Sequence, residues 1–267
     1  MKTLKLAVIG KDVSKSESPK IHNFIAEKLG NKISYERISI PENEFENRLD
    51  NLINGLDGFN VTIPYKLSII PHLNSIEGDA QTFGAVNTVL TGERKGYNTD
   101  GMGFMLMLEV EGVEVKGKTF LVLGAGGAGR SVAKKLSDGG AEVFIYNRSY
   151  AKAKAVADEF GGVTALQTLE NKTYYAIINA TGIGMHETVG VSPVGRELLS
   201  MCEVAVDLIY VPWVSKFLEI AAGLGKKTVN GEQMLFYQAY YSQCIYFGKS
   251  ADLNEAKTLY TQYQEKI

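Results

Sequence analysis

The sequence predicts an α/β fold, and three observations predict it. Short β-branched runs alternate with longer amphipathic stretches along most of the chain. Strands separated by helices in this way pair in parallel and are covered on both faces. Midway along, an apolar run leads straight into a glycine cluster and then a helical pattern, the order in which a strand, a tight turn and a helix N-terminus meet. The 267 residues suit one large domain or two of roughly 100–150 residues. A new strand–helix series starts after the run Asp100–Gly103, and a domain boundary is expected there.

The first expected strand is Leu4–Ile9. Helix Pro19–Leu29 follows, with Ser18 read as its N-cap and Pro19 at the first helical position. Strand Ser34–Ser39 and helix Glu42–Leu52 come next. In the strand Gly58–Ile63, Asn60 and Thr62 point one way and Val61 and Ile63 the other, and Pro64 stops the ladder. A helix from Gly103 to Glu111, with Met102, Met105 and Met107 as packing residues, leads into strand Thr119–Leu123. Helix Gly127–Ser137, strand Glu142–Tyr146 and helix Tyr150–Phe160 continue the alternation. Strands Tyr175–Asn179 and Val204–Leu208, helix Val214–Leu224 and strand Lys227–Val229 extend it. Two helices, Glu232–Phe247 and Asn254–Glu265, follow.

Composition excludes several classes of function. A formal net charge of −2 argues against nucleic acid as a partner, because a surface that tracks phosphates needs a basic excess. A charged fraction of 22% beside 45% hydrophobic residues is that of a globular protein. Cys202 and Cys244 lie too far apart for a disulfide framework or a zinc cluster and read as buried thiols in a reducing compartment. His22, His72 and His186 share no metal-ligand spacing, so no metal site is expected. The apolar run Leu6–Ile9 is too short for a signal-peptide core, and no stretch approaches a membrane span. The expectation is a cytoplasmic protein without a membrane partner.

The glycine cluster carries the first functional signal. Gly124, Gly126 and Gly129 have the Gly-x-Gly-x-x-Gly spacing between strand Thr119–Leu123 and a helix. Glycines there let a pyrophosphate approach the amide groups of a helix N-terminus. An NAD site places an acidic residue at the end of the next strand to accept from the ribose hydroxyls. Here that strand end reads Tyr146-Asn147-Arg148-Ser149 and has no acid. Arg148 can pair with a 2′-phosphate, Ser149 can donate to it, and Lys152 lies on the next helical turn. One charge-assisted Arg–phosphate contact is worth about 1.5–3 kcal/mol, so NADP is expected over NAD.

The first half of the chain holds a second constellation. Ser16 and Ser18 stand two residues apart beside helix-start amides, a pair able to hold a small carboxylate. Lys66 follows the strand that carries Asn60 and Thr62, and a Lys just past a strand end is placed for chemistry. Asn87 and Asp100 sit where apolar runs break. Gln238 puts a polar amide on the otherwise apolar face of helix Glu232–Phe247, where it needs a partner such as a ligand hydroxyl.

Taken in order, these segments resemble the NADP-dependent shikimate dehydrogenases, over almost the whole length. The Ser-x-Ser-Pro segment is Ser16–Pro19, and Asn-Val-Thr-x-Pro-x-Lys is Asn60–Lys66. Gly-Ala-Val-Asn-Thr is Gly84–Thr88, and Asn-Thr-Asp-Gly-x-Gly is Asn98–Gly103. Gly-Ala-Gly-Gly-Ala is Gly124–Ala128, Asn-Arg-Ser is Asn147–Ser149, and Asn179–Met185 matches the Asn-Ala-Thr and Gly-Met segment. Asp-x-x-Tyr-x-Pro is Asp207–Pro212, and Gly-x-x-Met-Leu-x-x-Gln is Gly231–Gln238. The glycine cluster alone is unspecific; the Lys66 and Asp100 segments with Ser-x-Ser-Pro are specific.

The resemblance implies two α/β domains. Residues 1–101 plus 231–267 would form a substrate-binding catalytic domain completed by C-terminal helices, and residues 102–230 a Rossmann-like NADP domain inserted between them. It implies reversible reduction of 3-dehydroshikimate to shikimate, a step of aromatic amino acid (chorismate) biosynthesis. Lys66 would be the general acid/base with Asp100 beside it. Ser16 and Ser18 would hold the substrate carboxylate. Asn60, Thr62, Asn87, Asp100 and Gln238 would bind ring hydroxyls, and Tyr210 would line the cleft. NADP would be held by Gly124, Ala125, Gly126, Gly127, Ala128, Asn147, Arg148, Ser149, Lys152, Thr181 and Gly231. The expected state is a monomer or homodimer.

Two positions depart from the family pattern. Gln233 stands where a second Gly often precedes Met234, and a larger side chain there is expected to alter cofactor fit. Gly182 replaces a Pro after Asn-Ala-Thr and loosens that loop. Two other readings stay open: a quinate/shikimate dehydrogenase using NAD or both cofactors, and a noncatalytic NADP-binding sensor. The two serines and Arg148 favour shikimate and NADP, and a sensor leaves Lys66 with Asp100 unexplained.

Overall fold

A computed structural model describes residues 2–169 and 172–266. The chain divides into two compact units, Met1–Gly103 with Leu235–Ile267, and Phe104–Met234. Both divisions fall inside helices.

The first unit begins with β1 (Leu4–Gly10), α1 (Ser18–Lys28), β2 (Ile33–Ser39), α2 (Phe45–Gly55) and β3 (Gly58–Val61). It continues with β4 (Ser75–Ile76), α3 (Asp79–Phe83), β5 (Thr88–Leu90), β6 (Lys95–Tyr97) and the start of α4 (Asp100–Val110). Its sheet has the order β2-β1-β3-β5-β6-β4. The β1–β2, β1–β3 and β4–β6 pairs are parallel, but β5 runs antiparallel to both β3 and β6. The parallel sheet expected here is therefore a mixed one. The cause is local: the Arg94 amide bonds back to the Thr91 carbonyl at 3.1 Å, and Arg94 takes a φ of 49°, so Thr91–Arg94 turns β5 into β6 as a hairpin. Apolar burial centres on Ala7, Ile9, Phe59 and Val61 of the sheet against Phe45, Leu49, Leu52 and Ile53 of α2. The last four recur at helical spacing.

Three local expectations need correction. The strand at Gly58 ends at Val61, with all four of its residues buried, so the alternation read over 58–63 does not hold. Thr62 keeps one ladder bond, from its amide to the Ile9 carbonyl at 2.9 Å, and the Tyr65 amide then bonds the Thr62 carbonyl to form a turn. Ile63 is 77% exposed on that turn. Ser18 is inside α1 rather than its N-cap; Ser16 does the local capping, its Oγ accepting from the Ser18 amide at 3.2 Å. The segment Glu42–Leu52 splits into a 3-10 turn, Glu42–Glu44, and α2.

The second unit holds β7 (Thr119–Leu123), α5 (Gly127–Asp138), β8 (Glu142–Tyr146), α6 (Tyr150–Phe160), β9 (Val163–Leu166) and β10 (Tyr174–Asn179). It continues through α7 (Arg196–Ser200), β11 (Cys202–Asp207), α8 (Lys216–Ala222) and β12 (Lys227–Asn230). The sheet order is β12-β11-β10-β7-β8-β9, parallel throughout. This is the doubly wound arrangement, with β7 beside β10 at its centre. Leu121, Ile177 and Ala205 of the sheet pack with Phe217 and Leu218 of α8. The helix expected over 214–224 is shorter, because Ser215 caps it, accepting from the Leu218 amide at 3.3 Å.

Helix α9 (Glu232–Tyr246) returns the chain to the first unit, and α10 (Leu253–Gln264) packs there on α1. Phe236, Tyr237 and Tyr240 of α9 are fully buried. Asp252 caps α10 by accepting from the Asn254 and Glu255 amides.

Candidate active site

In the first unit the chain after β1, the turn after β3, the segment before β5 and the start of α4 bring polar side chains together. Lys66 Nζ lies 2.5 Å from Asp100 Oδ2, although 34 residues separate them in sequence. The pair is largely shielded, with side chains 24% and 12% exposed. The other carboxylate oxygen of Asp100 accepts from Asn87 Nδ2 at 2.8 Å. The Asp100 amide donates to Asn98 Oδ1 at 3.0 Å, which fixes the first residue of α4. An ammonium held by a carboxylate beside a partly open face can protonate an oxyanion and stabilise it first.

Asn87 is held on every side. Its Oδ1 accepts from the Thr99 amide at 2.9 Å and from Thr88 Oγ1 at 2.8 Å. Gln238 reaches the same group from α9: its Oε1 lies 3.4 Å from Asn87 Nδ2 and from Thr99 Oγ1. The amide on the apolar face of α9 has thus found its partners. Ser16 and Ser18 also meet, Oγ to Oγ, at 3.1 Å, and Arg37 Nε holds the Ser16 carbonyl at 2.8 Å. Thr62 is half-buried on the turn between β3 and Lys66.

Asn60 stands apart from the other predicted residues. It is 6% exposed, and all its polar atoms have protein partners. Its Oδ1 accepts from the Tyr35 and Tyr246 hydroxyls at 2.7 and 3.1 Å. Its Nδ2 meets the Asn87 carbonyl, Thr88 Oγ1 and Ser242 Oγ within 3.1 Å. Burial pushes both tyrosine pKa values well above the ordinary range, so both stay protonated as donors; Tyr35 also shares a hydrogen bond with Ser18. His22 stacks on Tyr35 at 4.3 Å, and burial lowers its pKa to about 3, which keeps the ring neutral.

The second unit builds its site around the turn after β7. Gly124 has φ +105°, and a Cβ there would lie 3.0 Å from the Ala180 carbonyl. A Cβ on Gly129 would lie 2.0 Å from the Gly124 carbonyl, so only glycine lets α5 start this close to the strand. A Cβ on Gly126 or Gly127 would meet nothing within 4 Å. The open space left there is what a pyrophosphate approaching the start of α5 requires. Asn147 Oδ1 accepts from the Ala125 amide at 3.2 Å and ties the glycine turn to the end of β8.

A cavity of about 480 Å³ opens beside this turn, lined among others by Gly124, Asn147, Arg148, Ser149, Lys152 and Thr181. Two cations, Arg148 and Lys152, with the Ser149 hydroxyl between them in sequence and no carboxylate among the lining residues, suit a dinucleotide that carries an extra phosphate. Thr181 is fixed by Asn179, whose Oδ1 accepts from the Thr181 amide and hydroxyl at 3.0 and 2.6 Å. Asp207 Oδ1 in turn accepts from Asn179 Nδ2 at 3.0 Å, and Asp207 Oδ2 accepts from Ser215 at 2.5 Å. Burial raises the Asp207 pKa against the effect of those bonds. Ala128 lies in the first turn of α5, and Tyr210 in the loop after β11. Gly231 lies before α9, where a Cβ would come within 2.3 Å of the Leu208 carbonyl. Gln233 donates from Nε2 to Glu111 Oε1. Among the described residues no cluster of His, Cys, Asp or Glu fits a metal, and no helix is long and apolar enough to cross a membrane.

Two family models match the chain: the shikimate dehydrogenase substrate binding domain over residues 8–89, and shikimate / quinate 5-dehydrogenase over 107–188. Shikimate dehydrogenase (NADP(+)) of Thermus thermophilus is 39% identical over 251 residues, covering 93% of this chain and 94% of its own. The chain belongs to the shikimate dehydrogenase family. Among solved shikimate dehydrogenases, the Thermus thermophilus enzyme in complex with NADP(H) and shikimate superposes with a TM-score of 0.87 at 37% identity, covering 97% of this chain and 99% of that one. A chorismate mutase/shikimate 5-dehydrogenase fusion protein from Clostridium acetobutylicum superposes with a TM-score of 0.90 at 36% identity, covering 100% and 99%. The shikimate dehydrogenase fold carries several polar residues that sequence reading missed as site neighbours: Tyr35, Thr88, Asn98, Thr99 and Ser242. Thr88, Asn98 and Thr99 stand inside the family segments, which was the available signal. Tyr35 and Ser242 carry none, because a Tyr on a strand and a Ser on a helix read as ordinary core and surface residues.

Proposed function

We propose that this protein catalyses the NADP-dependent, reversible reduction of 3-dehydroshikimate to shikimate. The observation that carries the reading is Lys66 held 2.5 Å from Asp100, which Asn87 holds in turn. The first unit takes the substrate. Ser16 and Ser18 receive its carboxylate through their hydroxyls, and Thr62, Asn87 and Gln238 meet ring hydroxyls. Tyr210, in the loop after β11 of the second unit, is proposed as a substrate-binding residue. Asn60, with every polar atom engaged, supports Asn87 from behind. The second unit takes NADP: Gly124–Ala128 receive the pyrophosphate, Arg148, Ser149 and Lys152 the 2′-phosphate, and Asn147, Thr181 and Gly231 shape the site.

Bound NADPH supplies the hydride. As the ketone carbon is reduced, Lys66 Nζ stabilises the developing alkoxide and gives it a proton. Asp100 keeps the amine on its hydrogen-bonding axis throughout. In the oxidising direction Lys66 takes the proton back. Besides NADP, a small hydroxylated ring carboxylate is the partner this requires, and the protein acts in the cytoplasm as a monomer or homodimer.

The test is initial rate at the reduced-nicotinamide absorbance band, with shikimate or quinate, each with NADP or NAD. The expected result is fastest turnover with shikimate and NADP, at least about tenfold above shikimate with NAD, the factor one charge-assisted contact to the 2′-phosphate supplies. Equal or faster turnover of quinate with NAD would replace this reading with a quinate/shikimate dehydrogenase. NADP binding without turnover in all four mixtures would leave a sensor.

A further inference from the structure

Thr88 closes the Gly84–Thr88 segment, one residue after Asn87. The residue is fully buried. Its Oγ1 lies 3.1 Å from Asn60 Nδ2, 2.8 Å from Asn87 Oδ1 and 2.8 Å from Ser242 Oγ. The direction of these bonds is fixed by groups that cannot reverse. Asn60 Nδ2 faces the Asn87 backbone carbonyl, which only accepts, so the Asn60 amide can face only one way. Asn60 therefore donates towards Thr88; Asn87 Oδ1 only accepts, so Thr88 is the donor in that bond, and Ser242 Oγ, whose own proton faces the Gln238 carbonyl, is its other neighbour. At the far side Asn87 Nδ2 donates to the Asp100 carboxylate, which also only accepts. The result is a one-way chain from the Tyr35 and Tyr246 hydroxyls through Asn60, Thr88 and Asn87 to Asp100 and Lys66.

We propose that Thr88 is a positioning residue for the Lys66–Asp100 pair, acting through Asn87. Its hydroxyl is one of two main donors on Asn87 Oδ1, the other being the Thr99 amide at 2.9 Å. Together they hold the amide so that its N–H, and not its carbonyl, meets Asp100. Without the Thr88 proton Asn87 Oδ1 keeps only the Thr99 amide as a short donor, and its carbonyl end is held less tightly while Nδ2 still meets Asp100 and Thr99 Oγ1. The donor on Asp100 is then less firmly fixed, and so is the axis of the Lys66 ammonium. The inference rests on the reading of Lys66 and Asp100 as the acid/base pair.

Two substitutions separate position from packing. Thr88→Val keeps the side-chain shape and removes the proton; Thr88→Ser keeps the proton and removes a buried methyl. Steady-state oxidation of shikimate by NADP would be measured for both, with the KM for NADP as a control. Thr88→Val is expected to lower kcat about three- to tenfold, the worth of one neutral hydrogen bond, with the KM for NADP unchanged. Thr88→Ser is expected to stay within about twofold of wild type, below that range. A packing role predicts the reverse order, because the Ser variant loses volume and the Val variant does not. Equal kcat values for the two variants, or a lower value for Ser, would overturn the proposal. If Thr88→Val does not accumulate folded, Thr88→Cys replaces it: its thiol is a weak donor of similar size, so kcat should again fall below the Ser variant, and a Cys value matching Ser would overturn the proposal. Lys66→Ala in the same assay separates the two failures. If Lys66→Ala keeps its kcat, the acid/base reading falls; if only Thr88→Val keeps its kcat, the positioning inference falls alone.

Discussion

Replacing Asp100 with Asn probes the acid/base pair at unchanged shape. Both neighbours of the carboxylate are donors: Asn87 Nδ2 at 2.8 Å on one oxygen and Lys66 Nζ at 2.5 Å on the other. A carboxylate accepts from both, whereas an amide has one oxygen and one NH₂. Whichever way the introduced amide turns, a donor faces a donor. With its oxygen on Asn87, the NH₂ repels the Lys66 ammonium; with its oxygen on Lys66, the two NH₂ groups collide and Asn87 swings away. One charge-assisted hydrogen bond is lost in either case, about 1.5–3 kcal/mol or roughly ten- to a hundredfold in rate if it acts in the transition state. Asp100→Asn should therefore lower kcat for shikimate oxidation by that factor. The KM for NADP should hold, because the glycine turn and the end of β8 are untouched. The assay is steady-state kinetics with each substrate varied in turn, beside a melting curve that shows the variant folded. A folded variant with kcat within about threefold of wild type would refute the reasoning, since that is less than one neutral hydrogen bond is worth at its upper end.

Other expectations concern separate parts of the molecule. Ser16→Ala should raise the KM for shikimate by roughly ten- to a hundredfold and leave the KM for NADP alone, if its hydroxyl meets the substrate carboxylate; an unchanged KM for shikimate would put the carboxylate elsewhere. Arg148→Ala should weaken NADP binding, measured by titration calorimetry, by about tenfold or more and leave NAD binding unchanged; equal losses for both cofactors would make Arg148 a structural residue. His22 should make stability fall in acid. A proton that binds the unfolded chain near pH 6.5 binds the buried ring only near pH 3, so stability of order 5 kcal/mol is present above pH 6.5 and is lost as the pH falls towards 3. About 3 kcal/mol of it should be gone by pH 4.5, and urea unfolding of His22→Leu at pH 7 and pH 4.5 should show a smaller loss than wild type; equal losses would mean that His22 protonates in the native state without penalty.

The second unit was largely legible in the sequence, because most steps of its fold leave a local mark; strand β9 (Val163–Leu166) and helix α7 (Arg196–Ser200) were the ones not expected. Thr119–Leu123, the glycines at 124, 126 and 129, and the strand ending at Tyr146 follow one another within a single strand–turn–helix–strand unit. The strand ending at Asn179, and Asp207 after it, then show where the adjacent strands stop. The first unit was harder. Its short strands Thr88–Leu90 and Lys95–Tyr97 carry three residues each, too few for an alternation to register, and their hairpin reverses β5 within the sheet. The residues at the site were legible one by one, since Lys66, Asn87 and Asp100 each interrupt an apolar run. Their mutual geometry was not, because 34 residues separate Lys66 from Asp100 and only the sheet closes that gap. Asn60 shows the limit of side-chain alternation: the strand ends one residue after it, and both faces of that strand are buried. A polar residue there satisfies the core instead of facing outward. Ser18 shows the limit of cap rules, since Pro19 marks the helix start but Ser16 supplies the accepting oxygen.

The most direct measurement is kcat of Lys66→Ala at saturating shikimate and NADP, with binding of both ligands confirmed on the same folded protein. Removing the group that stabilises and protonates the alkoxide should lower kcat by about 10²–10⁴ while the KM for shikimate changes little. That loss should exceed the loss in Asp100→Asn, which keeps the ammonium and disturbs only its axis. A Lys66→Ala variant that turns over at close to the wild-type rate would contradict the assignment of Lys66 as the acid/base group.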